Sequence, residues 1–209
     1  LNNIKKSRSS DRLFFCLYCI IPNNTMIIRP AQPSDAPALA KLINMAMLEI
    51  TYQFIGKEDQ NEANAFIESL VMQKNNQYSY ENIFVLQELD QIIGHICIYD
   101  GSNFELLRQN VLDNIKQKYG HDYMAEAETG AGEMYIDTFA ISPTVRGKGL
   151  GKQLLQFAID HYVIQQHKVL GLLVDNDNPT AKKLYLGMGF KVVEESDING
   201  KKMEHMHYA

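Results

Sequence analysis

Six residues, Arg146-Gly147-Lys148-Gly149-Leu150-Gly151, constrain this chain more than any other stretch. Before them, Glu133 to Ile141 alternates like a strand and closes at Ser142-Pro143. After them, Leu150, Leu154, Leu155, Ala158, Ile159 and Tyr162 recur with the period of an amphipathic helix over 149–166. The spacing predicts strand, glycine turn, helix. Such a junction can hold an anion. Glycine tolerates positive φ and lets a phosphate approach the backbone, exposed N–H groups point into one concavity, and the helix N-terminus favours negative charge. Arg146 and Lys148 add positive charge. Two common phosphate loops do not fit. A Walker A loop would need glycine where Arg146 stands and Ser or Thr where Gln153 stands. A dinucleotide fingerprint counted from Gly149 would need glycine where Leu154 stands. The pattern present is R-x-x-G-x-G. On these residues alone, both a phosphate cradle and a plain basic turn satisfy it.

The flanking chain reads as an α/β single domain with a mixed sheet. Ile27–Arg29 is a short strand, and Ser34-Asp35 with Pro37 opens a helix carrying Leu39, Leu42, Ile43 and Met47 inward. Residues 62–74 form a second helix. Two strands, 83–89 and 91–99, flank Asp90, and 103–119 is again helical in period. Val169 to Val174 is continuously apolar, as expected of a strand buried on both faces. A short helix, 178–186, ends at Gly187 and Gly189. Two last strands, 190–194 and 202–208, turn at Asn199-Gly200. There is no internal repeat.

Composition narrows the function classes. The chain has 209 residues, 45% hydrophobic and 22% charged, with a net charge of −5, which disfavours a nucleic-acid binder. Three cysteines do not make a disulfide framework. Residues 1–25 differ from the rest: four Lys/Arg against one Asp, then the apolar run Leu13–Ile21, too short to span a bilayer. We read 1–25 as an accessory N-terminal extension, non-native or disordered, with an export or anchoring signal as the alternative, and 26–209 as the folded domain. Cys16 and Cys19 lack the context of a redox or zinc motif.

With its flanks, the glycine motif resembles the GNAT superfamily of acyl-CoA-dependent N-acetyltransferases. DTFAISPTVRGKGLGKQLLQFAI is similar to the family's fourth strand and following helix, including a proline three residues before the motif arginine. VDNDNPTAKKLYLGMGFKVV is similar to its next strand, helix and strand. IRPAQPSDAPALAKLI is similar to its opening strand and helix. The resemblance implies a mixed, mostly antiparallel sheet flanked by helices, in which strands 133–141 and 169–174 splay apart to admit acetyl-CoA as co-substrate.

The resemblance also implies roles. The backbone of Phe139 and Ile141 would pair with the pantetheine amides. Arg146, Gly147, Lys148, Gly149, Leu150 and Gly151 would cradle the pyrophosphate, and Asn178 would bond the pantetheine arm while capping its helix. Tyr185 would protonate the leaving CoA thiolate, with a core tyrosine as the plainer reading. Glu133 and Asp137 are the candidate bases for the attacking amine. By alternation Glu133, Tyr135, Asp137 and Phe139 share a face unless a bulge intervenes. No metal is expected, and His95, His205 and His207 read as structural. Cys97 reads as a buried strand residue.

The expected function is direct acetyl transfer to a primary amine in a ternary complex. The alternative is a non-catalytic acyl-CoA-binding sensor or interaction module. The acceptor, a small-molecule or protein amine, is poorly encoded. The long insertion 100–132 carries Asp122, Glu126 and Glu128, a rim that would attract a cation. No nucleic-acid or membrane partner is expected, the location is expected to be cytoplasmic, and a homodimer is possible.

Overall fold

In the computed structural model, which describes residues 19–20, 26–124, 126–198 and 200–209, the strand-like runs join one sheet. Its strands are β1 (Met26–Pro30), β2 (Ile83–Glu88), β3 (Gln91–Asp100), β4 (Glu133–Ile141), β5 (Val169–Asp175), β6 (Lys191–Ile198) and β7 (Lys201–Tyr208). The spatial order is β1-β2-β3-β4-β5-β7-β6, with a two-residue bridge, Cys19–Ile20, on the outer edge of β1. Only β4 and β5 run parallel; every other pair is antiparallel. Apart from that bridge, the extension read at 1–25 lies outside the described residues.

Apolar residues of both periods bury on both faces of the sheet. On one face α1 (Ala36–Ile55), α2 (Gln60–Val71) and α3 (Phe104–Tyr119) pack Leu39, Ile43, Phe66, Ile67 and Ile115 against Val85, Cys97, Tyr99 and Tyr135. On the other, α4 (Leu150–Ala158) and α5 (Pro179–Met188) cover Ile96, Ile98, Ile136, Leu170, Leu172 and Met206. Each helix end has its own cause. Asp59 caps α2 by accepting from the N–H groups of Asn61 and Glu62, and α1 and α3 close on left-handed Gly56 and Gly120. Met47 departs from helical angles within α1, and Thr51 Oγ lies 3.3 Å from its carbonyl oxygen.

Three local expectations are corrected. The second helix spans 60–71, because the Asp59 cap starts it earlier. The helix read over 149–166 is α only to Ala158. A π turn, Ile159–Ile164, follows, and its wider winding keeps Ile159, Tyr162 and Val163 all buried. Gly187 lies inside α5, which runs to Met188 and closes at Gly189 with φ 103°.

Two features of β4 position the site. First, β4 and β5 pair only from Glu133↔Val169 to Ile136↔Leu172. Beyond that β4 stays on β3 and β5 stays on β7, so the two strands part, as expected. Second, Cys97 pairs with Thr138 and Ile98 with Ile136, so Asp137 is the extra residue of a bulge. The bulge breaks the alternation. Tyr135, Asp137 and Thr138 face a cavity under α1, whereas Phe139 packs on the α4 side. The shared face expected for Glu133, Tyr135, Asp137 and Phe139 therefore ends at Asp137. Among the described residues no helix is long and apolar enough to cross a membrane.

Candidate active site

The glycine loop forms the first wall. Gly147 and Gly149 hold φ of 80° and 77°, and a Cβ on either would meet nothing within 4 Å. Both conformations favour glycine, and the space beside them is open. Arg146, Gly147, Lys148 and Gly149 are exposed, and α4 begins at Leu150 with Gly149 as its cap. Leu150 itself is buried, so its side chain anchors the helix while its backbone belongs to the first turn. Gly151 serves packing: a Cβ there would come 3.3 Å from the Phe139 ring. The cradle thus fits a pyrophosphate at a helix N-terminus.

The gap between β4 and β5 is the second element. The Ser142 N–H donates to the Ile93 carbonyl at 2.8 Å, which fixes the edge of β4 that faces β3. By strand alternation the backbone groups of Phe139 and Ile141 point the other way, into the gap. The Ile141 carbonyl accepts from Arg146 Nε at 3.2 Å, consistent with that direction. Asn178 and Tyr185 both belong to α5, which follows β5. Asn178 Oδ1 accepts from the Ala181 N–H at 3.1 Å, so the capping role is present. Tyr185 is half-buried, its ring 5.9 Å from that of Phe190. Burial pushes its phenol up to about 12, so it is a proton donor at neutral pH.

Where β4 leaves β5, a cavity of about 250 Å³ opens between α1, α3 and the sheet. Met47, Ile50, Phe54, Val111 and Leu112 give it an apolar wall, and Glu128 and Asp137 give it acid. Asp137 Oδ2 accepts from Tyr99 Oη at 2.6 Å and Gln77 Nε2 at 3.1 Å. Glu128 Oε2 accepts from Tyr135 Oη at 3.1 Å. Burial, then the charge of Asp137, pushes the Glu128 carboxyl up to about 7, against the pull of the Tyr135 hydrogen bond and Arg108. Burial also raises Asp137, although Tyr99 and Gln77 oppose it. Each carboxyl therefore holds its proton more tightly than an exposed one, and the charge of either raises the other.

Glu133 does not line that cavity. Its side chain lies over Gly171, where a Cβ would sit 1.5 Å from Oε2. The Nε2 atoms of His205 and His207 each lie 2.9 Å from the same Oε2, and Thr129 Oγ1 donates to Oε1. Burial alone would raise this carboxyl. The hydrogen bonds of His205 and Thr129 and the charges of both histidines outweigh it, so Glu133 stays below the usual carboxylate range. His95 is fully buried, bonds Thr138 Oγ1 at 3.1 Å, and is held neutral with a pKa of about 3. Cys97 is also fully buried, against the Gln77 carbonyl.

The sequence reading singled out Glu133, Asp137, Tyr185, Asn178, Phe139, Ile141 and the loop, and placed Glu128 only on an acidic rim; of the two candidate bases only Asp137 lines the cavity. It missed Gln77, Tyr99 and Tyr135. Tyr99 and Tyr135 carried a signal, as tyrosines on the strands flanking the motif; Gln77, in irregular chain, carried none. It also missed the convergence of His205 and His207 on Glu133, which an H-x-H pair on one strand face could have suggested.

Comparison with known proteins bears on the family and the fold. The sequence profile described as "Acetyltransferase (GNAT) family" matches residues 45–190. A spermine/spermidine N(1)-acetyltransferase of Bacillus subtilis (strain 168) is 36% identical over 73 residues, 34% of this chain and 48% of that protein. The chain therefore aligns with about half the length of that curated relative. A solved structure described as an acetyltransferase superimposes with a TM-score of 0.72 at 27% identity, covering 86% of this chain and 97% of the other. An N-acetyltransferase from Staphylococcus aureus Mu50 shares the fold, with a TM-score of 0.74 at 23% identity over 87% and 99% of the two chains.

Proposed function

The chain belongs to the GNAT acetyltransferase family, and from that premise we propose that it moves an acetyl group from acetyl-CoA to a primary amine of a small, aliphatic, polycationic acceptor. One observation carries the reading. The β4 bulge turns Asp137 into an acid-and-apolar cavity directly past the last β4–β5 pair. Carboxylates suit ammonium groups, and the apolar wall suits the methylenes between them. The partial likeness to a spermine/spermidine acetyltransferase supports the same class.

When bound, acetyl-CoA would supply the acetyl group as a thioester. Gly147, Gly149 and the first turn of α4 would hold its pyrophosphate, with Arg146 and Lys148 at the rim. The gap-facing backbone of Phe139 and Ile141 would pair with its amide arm, and the Asn178 amide group would bond the arm from α5. Of the two carboxylates considered, Asp137 with its partner Glu128 takes the proton from the acceptor's ammonium, because both face the cavity and burial raises both above the usual carboxylate range. A backbone N–H group of β4 beyond Ile136 would stabilise the negative charge that develops on the acyl oxygen. Tyr185 donates its phenolic proton to the departing sulfur and regains one from the new amide nitrogen or solvent. The overall reaction releases one proton per amine acetylated, since the acceptor enters as ammonium and leaves as amide.

The test is release of free CoA thiol from acetyl-CoA over a panel of spermidine, spermine, a diamine, an amino sugar and a peptide N-terminus. Turnover should be highest with the polyamines. If the protein binds acetyl-CoA yet turns over no amine, the non-catalytic acyl-CoA-binding reading replaces this one. Turnover restricted to the peptide would instead reject the small-acceptor class.

A further inference from the structure

We infer that Glu133, His205 and His207 form a binding site for a divalent transition-metal ion of the zinc type, separate from the acetyl-transfer machinery. Their ligand atoms all lie within 4.8 Å of one another. Strand geometry brings them there. His205 and His207 are two residues apart on β7 and so point from one face. Gly171 of β5 pairs with His207 on one side and with Tyr135 on the other. Because Gly171 has no side chain, Glu133 can reach across β5 from β4 to both imidazoles.

The donor set selects the ion. Two imidazoles and one carboxylate suit zinc, cobalt, nickel or iron(II) rather than calcium or magnesium, which prefer oxygen. Tetrahedral metal–ligand bonds of about 2.0–2.2 Å place ligand atoms about 3.4 Å apart, so an ion would enter by spreading these side chains by about 0.5 Å. Both Nε2 atoms lie 2.9 Å from Glu133 Oε2. The two imidazole planes are turned 89° to each other with centroids 4.9 Å apart, so the rings meet edge to face rather than stack. Thr129 holds Oε1 as an outer partner of the kind that orients a ligating carboxylate. Glu133 is 6% exposed, while His205 and His207 are partly open, which gives an ion a way in and leaves room for water as a further ligand. Such an ion would tie β4 to β7 across β5 at the paired end of the sheet, immediately before β4 and β5 part.

The full chain, stripped of metal by chelator and with its reactive thiols alkylated, would be titrated with Zn(II) by calorimetry and with Co(II) by visible absorption. The expected result is one ion per chain, Co(II) d–d bands without thiolate charge transfer, and a melting temperature that rises with metal concentration. His207→Ala and Glu133→Gln should each weaken Zn(II) binding by at least about tenfold. The Gln variant keeps an amide oxygen that can accept from the histidines, so a cluster held only by hydrogen bonds would lose little stability. No binding at about tenfold excess of either metal, or unchanged Zn(II) affinity in His207→Ala, would overturn the assignment. Should His207→Ala fail to fold by circular dichroism, the wild-type Co(II) spectrum decides: thiolate charge transfer or no d–d bands rejects the site.

Discussion

Replacing Glu128 with Gln isolates the carboxyl pair in the acidic cavity. Gln keeps the size of the side chain and can still accept from Tyr135 Oη, so the change removes mainly a charge. In the folded protein the Glu128 carboxyl is pushed by burial and by Asp137 from its ordinary 4.5 to about 7. Between those values the folded chain binds more protons than the unfolded chain, so stability falls as pH rises through the window and is lowest above it. A tenfold change in acidity is worth about 1.4 kcal/mol, so the rise sets a ceiling of about 3 kcal/mol. Glu128 is partly exposed, and part of the rise belongs to its coupling with Asp137, which lowers the expectation to about 1–2 kcal/mol. Urea denaturation of both proteins at pH 5 and pH 8 measures this. The variant should be more stable than the wild type at pH 8 by that amount, and nearly equal at pH 5. The profile of kcat/KM in the wild type should rise with pH through about 7, and in Glu128→Gln that inflection should move. A stability difference that stays constant between pH 5 and pH 8 would refute the buried, raised carboxyl on which the proton-acceptor role rests.

Three further outcomes follow from the geometry. Tyr185→Phe keeps the ring beside Phe190 and removes the proton donor, so single-turnover kcat should fall by roughly 10²–10⁴-fold with acetyl-CoA binding retained; full kcat would reduce Tyr185 to packing. Gly149→Val puts a branched side chain at φ 77° and into the open space beside the loop, so calorimetry should show weakened acetyl-CoA binding in a protein that still folds. Gly171→Ala places a Cβ 1.5 Å from Glu133 Oε2, and equilibrium unfolding should show a loss of roughly 1–3 kcal/mol; an unchanged protein would mean that Glu133 does not reach across β5.

The glycine loop was legible because backbone chemistry dictates it. Positive φ at Gly147 and Gly149, a helix N-terminus at Leu150 and a strand ending at Ile141 each leave a residue-type signature, and each element stands where the sequence put it. The continuous apolar run of β5 was legible for the same reason: burial on both faces removes polar positions. The π turn after Ala158 was not, because its residues keep a helical apolar period and only the winding changes. The acidic cavity was legible in part. Glu128 stood out as one acid in an acidic loop, but nothing local says that Tyr135 donates to it or that Arg108 lies beside it. Gln77 reaches Asp137 from 60 residues away, a contact that only the packing of α2 and β3 creates.

The bulge at Asp137 decides how one strand can serve two compartments. In a regular β4, Asp137 and Phe139 would point the same way. The Phe139 ring would then turn toward the acidic cavity and away from Gly151, where a Cβ would come 3.3 Å from it. One extra residue separates the two demands. Asp137 stays beside Tyr99, Gln77 and Glu128, where burial raises its carboxyl against the hydrogen bonds of Tyr99 and Gln77. Phe139 moves to the apolar side, where it seats the helix whose N-terminus carries the glycine loop. The same break comes directly after the last β4–β5 pair, Ile136↔Leu172, so the strand parts from its neighbour where its side chains change face. An acyl carrier lying in that gap would have the cradle at one end and the carboxyl pair at the other. The length of β4 from Asp137 to Ile141 sets the distance between them, about 13 Å at the rise of an extended strand.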